Sequence, residues 1–334
     1  MADYRLVVTN LIGSVTSSVA PLRLNQPVVD NSYQYAVFTN NPYAYWRMNE
    51  APGSAVMSDT SPAGGFDASP LASTVLGVPG PQPTDFPGFE STNTALQLGI
   101  HYNDGYASFP PLNLTAQQSI TITAWIMPNG PQQAHTGLVC LKGTGDGSLN
   151  YSTFTDASGY PVLGYTWGGG NGNWNTGLQP PFGSWSFVAL VITPTDATMY
   201  LFNPNLPNGL STAYLLNNNA ATDFLAPGAI GADTFYVNWS GWTGIFDGDM
   251  DEVAVFNKAL SPSLVETLYG KAAGISKYPV VILQQPVSAP VVAGGNAQLK
   301  VSALGTGLAY QWQARAIGSG SYTNLIDGGN LWGS

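Results

Sequence analysis

Short apolar runs bounded by glycine, proline and asparagine recur along most of the chain. Each run is long enough for a β-strand and too short for a typical helix. The 334 residues include 39 glycines and 25 prolines, which end regular elements and favour turns. Parallel sheets need helical crossovers between strands, and the sequence between these runs lacks helical patterns. We therefore predict an all-β fold of the jelly-roll type, with two stacked sheets.

The predicted elements have clear boundaries in the sequence. The strands are expected at residues 95–98, 106–109, 120–126, 137–142, 151–155, 162–167, 186–193, 198–202, 235–237 and 250–256. One helix is predicted over residues 262–271, because Ser261 is a suitable N-cap and Pro262 suits the first helical position.

The composition of the chain argues against some classes of binding partner. The formal charge of −10 argues against a nucleic-acid partner, since few basic residues are available to neutralise phosphates. No apolar run approaches the roughly 20 residues of a membrane-spanning helix, so we expect no membrane insertion. The single cysteine, Cys140, allows no internal disulfide, and its apolar neighbours predict that it is buried. The acidic, Thr/Asn/Gly-rich composition is typical of an exported bacterial protein and predicts an extracellular or cell-surface location.

Acidic residues concentrate near position 250. Asp247, Asp249, Asp251 and Glu252 stand directly before an alternating apolar run that predicts a strand. Only 8% of the residues are charged, and an unpaired buried carboxylate is costly. We therefore expect this cluster either to face water or to hold a cation, with Asp247 and Asp249 in a solvated turn.

Four segments carry a family resemblance. Residues 251–261, DEVAVFNKALS, resemble the closing signature of bacterial laminin G-like domains, which are members of the concanavalin A-like lectin and glucanase superfamily. Residues 44–50 (AYWRMNE) resemble the opening strand of that family, residues 119–126 (SITITAWI) its central strand and residues 183–190 (GSWSFVAL) a later strand. The resemblance implies a laminin G-like jelly roll over residues 28–275.

The two ends resemble parts of another β-sandwich. Residues 1–25 are similar to the closing strands of an immunoglobulin-like repeat, and residues 279–334 are similar to its opening strands. One interpretation is that both are remnants of a longer repeat array. The other is that the N-terminal strands complete the C-terminal ones, within one chain or between two chains in a domain-swapped dimer.

The resemblance also implies a structural calcium. In the superfamily the final strand supplies an aspartate ligand, which corresponds to Asp251, and Asp59 fits the early partner by position. Calcium takes six to eight oxygen ligands, so backbone carbonyls would supply most of them. The alternative is that Asp251 caps a turn and binds no metal. Zinc is disfavoured, because His101 and His135 are far apart in sequence and Cys140 has no partner.

Two tryptophan-bearing segments predict a sugar-binding site. Trp167 and Trp174 lie with Asn173 in a Gly/Asn-rich stretch, and Trp239 and Trp242 lie in a second one. An exposed aromatic ring beside amide side chains suits a sugar, whose C–H face stacks while its hydroxyls form hydrogen bonds. The alternative is that these rings fold back into small hydrophobic clusters.

Catalysis is the other class that we consider. The superfamily includes retaining glucanases with paired carboxylates, and Asp247, Asp249 and Glu252 match that spacing superficially. They lie on the final strand, however, whereas the central strand offers Thr121 and Thr123 where such carboxylates are expected. Other acidic candidates for an unrecognised pair are Asp104, Asp146 and Asp156.

The sequence therefore predicts a non-catalytic carbohydrate-binding module of a large exported multidomain bacterial protein, with a polysaccharide or glycan as partner. The first alternative is a glycoside hydrolase of the same superfamily. The second is a structural spacer of an adhesin, which burial of all four candidate tryptophans would favour.

Overall fold

Two stacked antiparallel sheets form the centre of the molecule. The computed structural model describes residues 2–22, 30, 32–71, 73–99, 105–132, 135–155, 161–168, 174–233, 244–287, 290–292, 294–318 and 320–326. Every strand pair between these residues is antiparallel, which confirms the all-β prediction.

The strands are numbered in chain order. The eight-stranded sheet contains, in spatial order, β18 (Leu210–Leu216), β17 (Asp196–Phe202), β16 (Ser186–Ile192), β11 (Ile120–Pro128), β21 (Gly248–Phe256), β8 (Thr94–Leu98) and β7 (Val75–Pro79), with β5 (Ala44–Trp46) paired to β21. The seven-stranded sheet contains β15 (Trp174–Asn175), β14 (Pro161–Trp167), β13 (Asp146–Thr155), β12 (Thr136–Lys142), β20 (Ala226–Ile230), β9 (Ala107–Phe109) and β6 (Ser69–Pro70).

Two helices and several two-stranded pairs complete the fold. The helices are α1 (Tyr33–Thr39) and α2 (Pro262–Ala273), with a 3₁₀ turn at Pro207–Gly209. The pairs are β10 (Leu114–Gln117) with β19 (Thr222–Phe224), β1 (Ala2–Tyr4) with β4 (Ala20–Leu22), β2 (Val7–Thr9) with β3 (Ser14–Thr16), β22 (Val281–Gln284) with β23 (Ser302–Leu304), and β24 (Gln313–Ala314) with β25 (Thr323–Asn324).

An interior cluster of apolar side chains fills the space between the two sheets. The eight-stranded sheet contributes alternate residues, as in β16, where Val188, Leu190 and Ile192 all belong to the cluster. Leu149 and Leu163 reach the same cluster from the seven-stranded sheet. Successive side chains of a strand point to opposite faces, so this alternation defines the inward face of each sheet.

An outer cluster covers the other face of the eight-stranded sheet. Phe187 and Phe202 point to this side and pack with Trp125, whose indole is fully buried. Helices α1 and α2 lie over these rings, and Tyr269 of α2 stacks on Phe202 with ring centroids 4.6 Å apart. The eight-stranded sheet is therefore buried on both faces.

Helix α2 begins and ends where the sequence indicates. The Ser261 hydroxyl accepts a hydrogen bond from the Leu264 amide at 3.3 Å, and Pro262 occupies the first helical turn. Gly274 ends the helix in the left-handed conformation, with φ of 67°. The prediction of a helix here is confirmed. Helix α1 was not predicted, because its seven residues are too few for a clear helical period.

Most predicted strands are confirmed with shifts of a few residues, and the run at 235–237 lies outside the described residues. The largest shift is in β13, which begins at Asp146 instead of residue 151. Its first half, DGSLN, contains glycine and polar residues that resemble a turn in the sequence. Among the described residues, no helix has the length and apolar character needed to span a bilayer.

The terminal segments pair locally. Within the described part of one chain, β1 pairs with β4 and β22 pairs with β23, and no ladder joins the N-terminal strands to the C-terminal ones. Leu283 and Leu304 of the C-terminal hairpin join the outer cluster. Completion of an immunoglobulin-like sandwich between two chains stays a prediction.

Candidate functional site

The outward face of the seven-stranded sheet is polar. Strand register aligns a row of small side chains across six strands, one from each. In spatial order the row is Ser69, Ser108, Ala229, Cys140, Ser148 and Thr166. Its three central members are buried, whereas Ser69 is exposed and Ser108 and Thr166 are half-buried. We call this row and its polar neighbours, Lys142, Asp146, Asn150 and Asp233, the polar face.

Charged side chains gather at one end of the polar face. Lys142 Nζ lies 3.1 Å from Asp146 Oδ1 and 3.8 Å from Asp233 Oδ1. Burial lowers the pKa of Lys142, but the nearby Cys140, Asp146 and Asp233 outweigh burial and raise it overall. The lysine is therefore a cation already held between two carboxylates.

Cys140 belongs to this polar layer. Its Sγ accepts a hydrogen bond from the Ser148 hydroxyl at 3.1 Å and donates towards Asp233 Oδ1 at 3.7 Å. The predicted burial of Cys140 is confirmed, but its neighbours are polar side chains instead of the apolar core. Strand phase explains this, because Val139 and Leu141 point to the interior cluster and Cys140 points away from it.

An amide lies next to the row. Asn150 Nδ2 donates to Thr166 Oγ1 at 2.7 Å, while Asn150 Oδ1 is buried and has no hydrogen-bond partner among the described residues. A buried acceptor without a donor is costly. Such an atom is usually found where water or a ligand completes the hydrogen bonding.

Asp233 and Gly244, the described residues on either side of the segment that contains Trp239 and Trp242, lie beside the polar face. Residues 234–243 lie outside the described residues, but the residues that flank them are described. Asp233 donates its amide to the Gly244 carbonyl at 3.0 Å, and Gly137 of β12 donates to the same carbonyl at 2.9 Å. The Asp233 carboxylate reaches Lys142 of the polar face.

The structure corrects the expectation for Trp167. This residue ends strand β14 with only 2% of its surface exposed, and its indole nitrogen donates to the Ala220 carbonyl at 2.8 Å. Its ring contacts Phe224 edge to face within the interior cluster. Leu163, Tyr165 and Trp167 alternate along β14, so all three side chains point inward. Trp167 is thus not available as a sugar-binding surface.

Trp174 also packs inward, but less completely. It pairs with Tyr165 on the edge strand β15, contacts that ring edge to face at 5.9 Å, and lies partly buried against the interior cluster. This indole covers one open edge of the sandwich, and a direct role in sugar binding stays a prediction. Asn173, Trp239 and Trp242, together with the acidic candidates Asp104 and Asp156, lie outside the described residues.

The acidic residues of β21 are buried, so the expectation that they face water is wrong. Asp251 and Glu252 are both fully buried, and Asp249 is 6% exposed. The register of β21 against β11 shifts at this point, and Glu252 has a φ of 51°. This bulge turns Glu252 towards the outer cluster, the side on which Asp251 lies opposite Trp125.

Side chains from distant parts of the chain hold these carboxylates. Glu252 accepts hydrogen bonds from the Tyr45 hydroxyl and from Arg47 Nε, the latter at 3.3 Å. Arg47 also pairs with Glu90. Asp251 Oδ2 accepts from Asn93 Nδ2 at 2.7 Å. We call Arg47, Glu90, Asn93, Asp251 and Glu252, together with Tyr45, the buried charge cluster.

Burial dominates the acidity of this cluster. It raises the pKa of Glu252 to about 7, although Arg47 and the Tyr45 hydroxyl oppose the shift. Burial and the neighbouring Glu252 raise the pKa of Asp251 well above its ordinary value, against the hydrogen bond from Asn93. Burial also raises the pKa of Asp249 to about 6, helped by nearby Asp247 and opposed by a hydrogen bond from Gln97.

Asp247 and Asp249 do not form a catalytic pair with Glu252. Glu252 is fully buried and engaged by Arg47 and Tyr45. Asp247 is half-buried and accepts from Asn129 Nδ2 at 3.0 Å. Asp249 lies within β21, not in a solvated turn as predicted. Asp146 is salt-bridged to Lys142, so it is held as a counter-ion.

Asp59, the early calcium ligand that the resemblance implies, does not fit that ion. Asp59 accepts four hydrogen bonds, from the amides of Tyr45, Ser61 and Phe66 and from the Ser61 hydroxyl, at 2.9–3.1 Å. A carboxylate offers about four lone-pair sites, so protein donors occupy all of them. Asp251 is held by Asn93 and by the Glu252 amide. Among the described residues, no group of three or more His, Cys, Asp or Glu side chains is placed to hold a metal ion.

Sequence reasoning missed Arg47, Lys142 and Asp233. Arg47 and Glu252 are 205 positions apart, so their contact depends on β5 pairing with β21. Asp233 reaches Lys142 through the tertiary fold. For Lys142 a signal existed: Lys142 and Asp146 are four positions apart across the tight turn between β12 and β13.

Comparison with known proteins agrees with this architecture. Residues 101–266 match a laminin G-like family model of the concanavalin A-like lectin/glucanases superfamily. No curated protein matches the sequence significantly.

Three solved structures illustrate the fold-level likeness. Domain 4 of AbnA, a GH43 extracellular arabinanase from Geobacillus stearothermophilus solved with arabinotriose, is 17% identical, covers 69% of this chain and 98% of its own, and has a TM-score of 0.44. A mutant Trypanosoma rangeli sialidase displaying trans-sialidase activity is 15% identical over 69% of this chain and 33% of its own, with a TM-score of 0.41. The enzymatically active domain of bacteriophage CBA120 tailspike protein 2 is 16% identical over 53% and 27%, with a TM-score of 0.39.

These similarities are at low sequence identity and concern the fold alone. The chain spans about a third of the sialidase and about a quarter of the tailspike domain. The two stacked sheets, the closing strand β21 and the family match lead to one assignment. The central sandwich, over residues 101–266, is a laminin G-like domain of the concanavalin A-like lectin and glucanase superfamily.

Proposed function

We propose that this chain is a non-catalytic glycan-binding module, part of an exported multidomain bacterial protein. Its ligand contacts the polar face of the seven-stranded sheet and the tryptophans at positions 239 and 242. The main support is the Asp233–Gly244 hydrogen bond, because it places the two described residues that flank positions 234–243 beside Lys142 and β12. The matched superfamily, named for lectins and glucanases, supports a carbohydrate ligand in general.

The chemistry of the polar face suits sugar hydroxyls. Serine and threonine hydroxyls donate and accept, the Asn150 carbonyl is a buried acceptor without a described donor, and Asp146 and Asp233 accept. Aromatic rings beside such groups provide the stacking surface that a pyranose or furanose needs. The sheet beneath is rigid, which keeps these groups in place for a ligand.

The placement of the acidic residues favours binding over hydrolysis. Glycoside hydrolysis needs two carboxyl groups that flank the scissile bond. Glu252 is fully buried and Asp249 nearly so, and both belong to the other sheet. Asp146 lies on the polar face but is salt-bridged to Lys142.

Affinity gel electrophoresis tests the proposal. We expect at least one gel containing arabinan, xylan, galactan or hydroxyethylcellulose to retard the wild-type chain. The double variant Trp239→Ala/Trp242→Ala should bind at least about tenfold more weakly, because the stacking surface is lost. Trp312→Ala is the matched control, since this half-buried tryptophan lies in the C-terminal segment.

Two outcomes would contradict the proposal. Unretarded migration in every polymer would favour a structural spacer. Steady release of reducing sugar from a retained polymer would favour a hydrolase, and loss of that release in Asp247→Asn/Asp249→Asn would identify its acids.

A further inference from the structure

Among the described residues, Lys142 is the only lysine or arginine on the polar face. Strand β12 points it outward, where Asp146 lies opposite it in register. Its Nζ lies 3.1 Å from Asp146 and 3.8 Å from Asp233. One positive charge is therefore shared between two negative ones, and this group has a net negative charge when all three are ionised.

The segments that interrupt the described residues of this sheet supply no second lysine or arginine. These segments, 72, 100–104, 133–134, 156–160, 169–173 and 234–243, contain two acids, Asp104 and Asp156. The lack of lysine and arginine in these segments is read from the sequence, so it does not depend on how the segments are arranged.

The remaining basic residues of the sandwich lie elsewhere. Arg47 is held by Glu90 and Glu252 on the side of the outer cluster. Lys258 donates to the Asn40 carbonyl at 2.9 Å, and Lys271 lies on α2, which packs over the same outer cluster. The other five are Arg5, Arg23, Lys277, Lys300 and Arg315, all outside residues 28–275.

This charge distribution selects against acidic sugars. A uronate or sulfate group at the polar face would meet two carboxylates and a lysine that they already neutralise. Anionic ligands are normally recognised by arginine or lysine free to pair with them. A neutral sugar loses nothing here, because its hydroxyls donate to carboxylates and accept from hydroxyl groups.

We infer that the ligand of the polar face is a neutral glycan, and that Asp146 and Asp233 act against anionic glycans by occupying Lys142. This inference rests on the proposed function. The recognising chemistry is that of sugar hydroxyl groups on the carboxylate, hydroxyl and amide side chains of the polar face.

Pairs of polymers with a shared backbone test the inference. We would compare retardation in hydroxyethylcellulose and carboxymethylcellulose, in dextran and dextran sulfate, and in arabinoxylan and glucuronoxylan. The wild-type chain should bind the neutral member of a pair at least about tenfold more tightly than the anionic member.

The double variant Asp146→Asn/Asp233→Asn removes both carboxylates and leaves Lys142 charged. We expect its ratio of anionic to neutral binding to rise at least about fivefold. The control is Asp30→Asn/Asp85→Asn, which makes the same change in net charge at two exposed positions. The control should leave the ratio unchanged, which separates a local effect from the effect of overall charge.

Two results would overturn the inference. Equal or tighter binding of the anionic polymers by the wild-type chain would refute it while leaving glycan binding intact. Lack of retardation of the wild-type and both variants in all six polymers, and in arabinan and galactan, would refute the proposed function and this inference with it.

Discussion

The two sheets of this sandwich differ in what covers them. The eight-stranded sheet has apolar clusters on both faces, and even its acidic residues are buried beneath helices and loops. The seven-stranded sheet has one apolar face and one face of hydroxyl, amide and charged side chains. The acidic cluster of β21 is therefore part of the packing of the covered sheet, whereas Asp146, Asp233 and small polar residues lie on the face that we propose for the ligand.

The largest expected effect concerns the buried charge cluster. Arg47→Met leaves Glu252 buried without its cation, so we expect the free energy of unfolding to fall by about 3–5 kcal/mol. Lys258→Met, which removes an exposed lysine, should cost less than about 1 kcal/mol. Urea denaturation of both variants checks this. A loss below about 1 kcal/mol for Arg47→Met would show that the cluster does not stabilise the sheet.

The next effect concerns Gly80, which packs against the same cluster. A Cβ at this position would lie 2.5 Å from Asn93 Nδ2 and 2.8 Å from Asp251 Oδ2. Gly80→Ala should therefore strain their hydrogen bond and lower the free energy of unfolding by about 1–3 kcal/mol. Gly130→Ala is the control, since nothing lies within 4 Å of its added Cβ. Equal stability of the two variants would show that Asn93 and Asp251 can move to accommodate the added Cβ without loss of stability.

The pH dependence of stability should report the same cluster. The folded pKa of Glu252, about 7, lies above its ordinary value of 4.5, so between these values the folded state binds more protons than the unfolded state. The free energy of unfolding should then fall as the pH rises from 5 to 7.5, by at most about 1.4 kcal/mol per unit from this group. Asp249 and Asp251, also raised, act in the same direction.

The variant Glu252→Gln removes this titration and should flatten the fall in stability over that pH range. Urea denaturation of the wild type and the variant at several pH values measures the free energy of unfolding. Curves for the wild type and the variant that run parallel would contradict a raised pKa at Glu252.

The smallest expected effect is that of calcium. Because protein donors occupy the Asp59 carboxylate, millimolar calcium or EDTA should change the Tm by less than about 1 °C. Differential scanning calorimetry measures this. A calcium-dependent rise of several degrees would restore the metal site that the family resemblance implies.

Much of the fold could be predicted from the sequence, because strand periodicity is local. Strand β14 shows this, since the run at 162–167 forms a strand as predicted. The alternation of Leu163, Tyr165 and Trp167 then points the indole inward, against the prediction that Trp167 binds sugar. The burial of Asp251 and Glu252 could not be predicted, because their partners Asn93 and Arg47 lie far away in sequence. The polar face could not be predicted either, because its residues come together only when the strands pair.

The polar face is assembled by strand register and by tertiary contacts. Cys140, Ser148 and Thr166 become neighbours only once β12, β13 and β14 pair in the observed register. Asp233 joins them through its contacts with Cys140 and Lys142. In the sequence, Cys140 and Thr166 are single positions inside predicted strands, and Ser148 and Asp233 fall outside them. Nothing local distinguishes these residues from other polar positions.

Amide chemical-shift mapping tests most directly the claim that the polar face binds the ligand. The probe is an oligosaccharide cut from whichever polymer retards the wild-type chain. We predict the largest shifts at Ser108, Lys142 and Thr166 and in residues 234–243, with little change in β16 and β17. Shifts confined to the eight-stranded sheet or to the terminal segments would contradict the account.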